Sequence, residues 1–259
     1  MRENEPPQTI TSVQNPRVRF LRALQDAQAR AESGCFLAEG VKLCREALRD
    51  AQVLTLLCDA DKAEAFAPLI AQAPEALLAP ARILEAIGQV KTSQGILAAV
   101  RFPAPLSLDT AGRALLALDG VQDPGNVGTM LRTAEAAGFS GALLSPACAD
   151  VFSPKAVRAS MGSVLRLPVW RGPLPDALSD LKERGYRILS ADLHGEPLAA
   201  QRPEPGTPFA LVIGSEGSGV SAAVSALADA RVTLPMRGRA ESLNAAVAAG
   251  ILMYGLMGM

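Results

Sequence analysis

Three short runs in the second half of the chain are apolar at every position: ALLAL at 114–118, GALL at Gly141–Leu144 and FALVI at 209–213. A strand with one wet face alternates apolar and polar side chains, whereas a uniformly apolar strand has to be covered on both faces. Further short strands are predicted at 165–170, 186–190 and 232–234. Segments with helical character lie between them, running from the turn after residue 120 to Ala137 and Gly138, then at Pro154–Ser160, 175–184 and 220–230. Strands alternating with helices in this way specify an α/β fold with a mostly parallel sheet. Ligands of such sheets sit beyond the carboxyl ends of the strands.

The first hundred residues show a smaller version of the same order. Residues 1–9 read as a frayed leader. Asn15-Pro16 is a helix entry, a capping side chain followed by a proline in the first turn. Val18, Leu21 and Leu24 then recur at helical spacing across a basic helix at 10–30. Strands are expected at 36–38, 53–58, 77–78 and 96–100, with helices at 41–48, 61–70 and Ala81–Ile87. The Pro-containing, weakly periodic stretch RFPAPLSLDTAG at 101–112 has linker composition. These features divide the chain into a small α/β domain at 1–103, a linker at 104–112 and a larger domain at 113–259.

Charge is nearly balanced over the 259 residues, with 25 Lys and Arg against 26 Asp and Glu, so the whole molecule favours no partner. Its distribution does. Arg17, Arg19, Arg22 and Arg30 face the single acid Asp26 within 10–30. Lys155, Arg158, Arg166 and Arg171 stand in 153–171 with no acid, and Arg231, Arg237 and Arg239 make a third cluster. Basic stripes on a neutral protein suit a polyanion. The four cysteines are dispersed and His194 is the sole histidine, which argues against a metal site and against triad chemistry. The polar start MRENEPPQTITS lacks the apolar core of a signal peptide, so a cytoplasmic protein is expected. The run at 234–259 is too short and too glycine-interrupted for a membrane span, and reads as a buried helix with polar residues at its head.

Three strand-to-loop junctions carry residues that turns alone do not require. DPGNVGTMLRTAEAAGF has Asn126 at a helix mouth and Arg132 inside the helix. IGSEGSGVS holds Glu216 among three glycines. LPMRGRAESLNAAVAAGI presents Ser242 and Asn244 before the last helix. In this order and spacing the three closely resemble the motifs of the SpoU (TrmH) family of RNA ribose 2′-O-methyltransferases, of the SPOUT class. SVQNPRVRFLRAL through GCFLAEGVKLCREAL resembles that family's N-terminal substrate-binding domain, an α/β RNA-binding module.

The resemblance implies a trefoil-knotted C-terminal domain that binds S-adenosylmethionine through backbone groups. Those would be Gly214, Leu234, Met236, Leu243 and Asn244. It places Arg132, Asn126, Glu216, Ser242 and Asn244 around the reacting groups, with Arg132 matching the arginine taken as catalytic. Leu234 for the usual isoleucine and Ala245-Ala246 for Val-Ser are mild departures. The implied reaction is methyl transfer to a ribose 2′-hydroxyl of structured RNA, ribosomal RNA of the 23S type being favoured by the two-domain layout. Transfer RNA is the alternative substrate, and an RNA-binding protein without catalysis the alternative function. Arginine is a poor base, since its pKa lies above about 12. Arg132 is therefore expected to orient the hydroxyl and stabilise negative charge, held in place by Glu216 and Asn126. Ser242 serves either as helix cap or as a contact to cofactor or substrate. Arg17, Arg19, Arg22, Arg30, Lys155 and Arg158 would meet RNA backbone, the loop 237–239 would touch RNA or cover the cofactor, and the last helix would join a homodimer.

Overall fold

The computed structural model describes residues 7–89, 93–239 and 241–259. The chain divides into two compact units, Met1–Pro103 with Phe152–Leu165, and Ala104–Val151 with Arg166–Met259. Residues 1–6 of the expected leader lie outside the described residues. Its last residues do not fray, because β1 (Gln8–Thr9) pairs with a strand of the first sheet.

In the first unit follow α1 (Pro16–Ala23), α2 (Ala27–Ser33), β2 (Cys35–Glu39), α3 (Val41–Asp50), β3 (Val53–Asp59), α4 (Ala63–Ile70), β4 (Ala76–Ala79), α5 (Ala81–Ile87) and β5 (Ile96–Arg101). The sheet order is β1-β4-β3-β5-β2, with β5 antiparallel to both of its neighbours. One face is covered by α1 and α5 through Leu21, Leu24, Ile83, Leu84 and Ile87. The other is covered by α3 and α4 through Cys44, Ala47, Phe66 and Leu69. Val157, Val164 and Leu165 join this second cluster, so 152–165, read from sequence with the C-terminal half, packs in the first unit. Burial pushes the Cys58 thiol up to about 12 and Cys44 higher still, which keeps both protonated and unreactive.

The single basic helix expected at 10–30 is two helices. Asn15 caps the first as expected, accepting from Arg17 N at 2.8 Å. Asp26 then accepts from Gln28 N and Ala29 N at 2.9 and 3.1 Å, which starts a second helix where the first should have continued. Arg30 is consequently turned inward. It is 3% exposed, and its Nη1 donates to the carbonyls of Leu24 and Gln25 at 2.9 and 2.7 Å. These are groups that the end of α1 would otherwise leave unpaired. Arg30 is a structural arginine, not an RNA contact.

The second unit holds β6 (Ala114–Asp119), α6 (Pro124–Ala136), β7 (Gly141–Leu144), then, beyond α7 (Pro154–Ser160) of the first unit, β8 (Val169–Arg171), α8 (Leu174–Glu183), β9 (Arg187–Pro197), β10 (Phe209–Gly214), α9 (Ala222–Ser225), β11 (Ala230–Thr233) and α10 (Ala245–Met257). All six strands are parallel, in the order β11-β9-β10-β6-β7-β8. The mostly parallel α/β architecture expected from the apolar runs is present.

Three details differ. The strand expected at 165–170 begins only at Val169, after Pro168, which has no N–H to give a ladder. The helix expected at 220–230 is four residues long, because Asp229 N donates to Ile188 O at 2.8 Å and Asp229 Oδ2 accepts from Ile188 N at 2.8 Å, drawing the chain into β11. The stretch expected as a linker at 104–112 is tied down inside the second unit. Tyr186 donates to the carbonyls of Ala111 and Gly112, both at 2.8 Å, and Arg184 pairs with Asp109 at 2.8 Å.

Candidate active site

Adjacent strands β6 and β10 run in register, with Leu118 opposite Ile213 and Asp119 opposite Gly214, so their carboxyl ends open side by side. The loop after β10 is a tight hairpin: Ser215 and Gly219 exchange both backbone hydrogen bonds at 3.0 Å, and the Ser215 and Ser218 hydroxyls meet at 2.8 Å. Asp119 Oδ2 accepts from Ser221 N at 2.8 Å and ties the hairpin to β6. Gly214 is required here by space. A Cβ on it would lie 2.1 Å from the carbonyl carbon of Gly219. Glu216 is thereby held out at the exposed tip.

The opposing helices start at the same place. Asp123 caps α6, accepting from Asn126 N at 2.8 Å. Asn244 caps α10, its Oδ1 accepting from Ala246 N and Val247 N at 2.9 and 3.3 Å. Such a cap contributes about 1 kcal/mol. Of the two roles left open for Ser242, the cap belongs to Asn244, and Ser242 is exposed. The side chains then join: Asn126 Nδ2 donates to Glu216 Oε1, and Asn244 Nδ2 donates to Asn126 Oδ1 at 3.2 Å. One amide therefore links all three motifs.

Arg132 is not in this chain. It stands six residues beyond Asn126, roughly 9 Å along the helix axis at 1.5 Å per residue. It is exposed, and its side chain has no hydrogen bond or ion pair among the described residues. The expectation that Glu216 and Asn126 hold its guanidinium is corrected: Glu216 accepts from Asn126.

Below the site, the β7 loop supports the turn after β6, and sequence reading did not single it out. Ser145 Oγ accepts from Gly120 N at 2.9 Å, Cys148 Sγ donates to Leu118 O at 3.1 Å, and Ala149 N donates to Val121 O at 2.9 Å. Arg171 clamps this loop by donating to the carbonyls of Pro146 and Cys148 at 2.9 and 2.6 Å. Arg166 forms a two-point ion pair with Glu135. Two arginines of the expected basic cluster are thus spent internally. No sequence signal marked them, since their partners are backbone or distant.

The loop between β11 and α10 carries Leu234, Met236 and Leu243. Met236 and Leu243 are 36% and 39% exposed. Among the described residues, 235–243 makes no backbone–backbone hydrogen bond, and Arg237 and Arg239 are exposed. Uncovered apolar side chains beside backbone donors and acceptors unspent among the described residues fit a ligand with an apolar ring and polar edges, such as the adenine of S-adenosylmethionine. Among the described residues there is no cluster of potential metal ligands.

Residues 113–254 match the SpoU rRNA Methylase family, and residues 15–98 match the MRM3-like substrate binding domain. The chain belongs to the SpoU rRNA methylase family. It is 35% identical, over 96% of its length and 99% of the relative's, to the 23S rRNA (guanosine(2553)-2′-O)-methyltransferase RlmP of Bacillus subtilis. Among solved structures of SpoU-type proteins it is similar to the AdoMet-bound rRNA methyltransferase of Sinorhizobium meliloti, with TM-score 0.86, 32% identity and coverage of 96% and 97% of the two chains. It is likewise similar to the SpoU methyltransferase AviRb of Streptomyces viridochromogenes in complex with AdoMet, with TM-score 0.82, 30% identity and coverage of 95% and 98%.

Proposed function

We propose that this protein methylates a ribose 2′-hydroxyl of RNA, using S-adenosylmethionine, and that ribosomal RNA of the 23S type is its substrate. The observation that carries this is the Asn126–Glu216–Asn244 chain, which gathers three distant motifs at the mouth of a parallel sheet. The full-length match to a 23S rRNA 2′-O-methyltransferase supports the choice of RNA.

S-adenosylmethionine, when bound, supplies an electrophilic methyl group on a sulfonium. Gly214 at the hairpin and the main chain of Leu234, Met236 and Leu243 hold it, with Asn244 fixing the end of their loop. The trefoil knot expected from the three motifs would bring the loops after β10 and β11 together around the cofactor. The protein's own task is to present the ribose hydroxyl and to stabilise charge as its proton leaves. Arg132, with an unspent guanidinium, donates to the developing 2′-oxyanion, and a neighbouring RNA phosphate shares the proton. Glu216 and Asn126 set the shape of the site and the position of the α6 start, and Ser242 contacts cofactor or substrate. Mapping 2′-O-methylation across ribosomal and transfer RNA in a strain lacking the gene tests the reading. Loss of one methyl group in 23S rRNA is expected, and loss confined to transfer RNA would redirect it.

The domain at 1–103 grips the substrate. Arg19 and Arg22 are exposed, with side chains unpartnered among the described residues, while Arg17 pairs with Glu75 at 2.8 Å and remains 58% exposed. Together with Lys155 and Arg158 they meet phosphates. RNA affinity is expected to fall steeply with salt, and Arg19→Ala with Arg22→Ala to reduce the log–log slope by about two, near one per phosphate contact. Titration by anisotropy over a salt series checks this.

The protein works in the cytoplasm as a homodimer. Val247, Ile251 and Tyr254 are 52%, 46% and 40% exposed, an apolar stripe at helical spacing on α10. Light scattering at micromolar concentration is expected to give twice the chain mass, and Ile251→Asp to give a monomer.

A further inference from the structure

Helix α6 carries a single cation, Arg132, and a single acid, Glu135. Of the positions three and four residues from Arg132, held by Gly128, Thr129, Glu135 and Ala136, only that of Glu135 is charged. Side chains so spaced on a helix have Cβ atoms roughly 5–6 Å apart, and opposite charges there attract. Taken alone, a helix of this sequence would close that pair. The folded protein does not. Arg132 is exposed and makes no ion pair among the described residues. Glu135 instead turns both carboxylate oxygens to Arg166, which lies 31 positions further on and outside the helix.

The outcome has a physical basis. Arg166 Nε donates to Glu135 Oε1, and Nη2 donates to Oε2 at 3.1 Å, a two-point fork that suits a carboxylate better than a single contact. The two side chains are 31% and 29% exposed, so solvent weakens their attraction less than it would between two fully exposed groups. Arg166 therefore outcompetes Arg132 for the one acid of the helix.

We propose that Arg166 is a positioning residue for methyl transfer: by holding Glu135 it keeps the Arg132 guanidinium unpaired and available to the ribose 2′-oxygen. Without Arg166, Glu135 would occupy that guanidinium and bring a negative charge towards the developing oxyanion. The proposal rests on the reading of Arg132 as donor to that oxygen; the competition of two arginines for Glu135 does not.

Arg166→Ala is expected to lower the single-turnover rate, at saturating RNA and S-adenosylmethionine, roughly two- to fivefold, the range for an ion pair of this kind. Adding Glu135→Gln to that variant is expected to restore the wild-type rate, and Glu135→Gln alone to leave it unchanged. Arg166→Lys, which keeps a cation on Glu135, is expected to retain most of the rate. A merely structural arginine gives a different pattern, because removing its partner as well does not repair the packing. NMR of the arginine Nε–Hε groups reads the competition in the full chain without RNA or cofactor. The Arg132 signal, identified by its loss in Arg132→Lys, is expected to show free rotation about Cζ–Nε in the wild type, slowed rotation in Arg166→Ala and free rotation again in the double variant. An Arg132 guanidinium already hindered in the wild type, an Arg166→Ala variant with full rate, or a deficit that Glu135→Gln does not restore would each overturn the proposal. If the NMR shows the exchange of partners but the wild type transfers no methyl group to RNA, the methyltransferase reading fails and the competition for Glu135 stands. If the wild type is active and Arg132 rotates freely in Arg166→Ala, the proposal alone falls.

Discussion

Arg132→Ala is expected to lower the single-turnover rate of methyl transfer by roughly two to three orders of magnitude, the cost of removing one preorganised donor to a developing oxyanion. Affinity for S-adenosylmethionine and the melting temperature should hardly move. The second half of this expectation comes from the structure: the side chain is exposed and makes no hydrogen bond or ion pair among the described residues, so its removal breaks nothing in the fold. Arg132→Lys separates charge from shape. A planar fork that donates from two nitrogens cannot be replaced by a point charge, so lysine should recover little of the rate. A lysine variant with near-full single-turnover rate would show that positive charge alone suffices. A loss of melting temperature in Arg132→Ala would point to a structural role.

Gly214→Ala is expected to abolish cofactor binding at concentrations that saturate the wild type, and to destabilise the protein by about 2–4 kcal/mol. The added methyl would run into the Gly219–Val220 peptide group, at 2.1 Å from Gly219 C, 2.3 Å from Gly219 O and 2.3 Å from Val220 N. Backbone cannot rotate aside as a side chain can. The Ser215–Gly219 bridge would open, and with it the position of Glu216. Gly217→Ala, three residues on, gives the contrast: no atom lies within 4 Å of its added Cβ, so its stability should stay within about 0.5 kcal/mol of wild type. Calorimetry with S-adenosylmethionine and urea unfolding of both variants separate the two effects. An alanine at 214 that binds normally would place the cofactor away from this hairpin.

The fold was legible where side chains repeat locally. The uniformly apolar runs gave the parallel sheet, and Asn15-Pro16 gave a helix start that the structure places at Pro16. Expectations failed where a single polar group intervened. Asp26 splits a helix, and Asp229 shortens another by bonding Ile188 across 41 positions. Periodicity cannot register either, because the competing partner is backbone elsewhere in the chain. The same limit applies to charge. Arg19, Arg22, Arg30 and Arg171 are equivalent as letters, yet Arg30 and Arg171 donate to carbonyl oxygens while the side chains of Arg19 and Arg22 have no partner among the described residues. At the candidate site, motif spacing brought out Asn126, Glu216 and Asn244 together, and the structure joins them. It gave no hint of which side chain bonds which, and so assigned Glu216 to the wrong partner.

The links that join the three motifs span 90 positions, from Asn126 to Glu216, and 118, from Asn126 to Asn244. Contacts between residues so far apart form late, because the loops they close have to be paid for in entropy before the contacts reward it. Asn126, Glu216 and Asn244 therefore come together only after the long loops between them have closed, so the candidate site is expected to form together with the second sheet as a whole and not piece by piece.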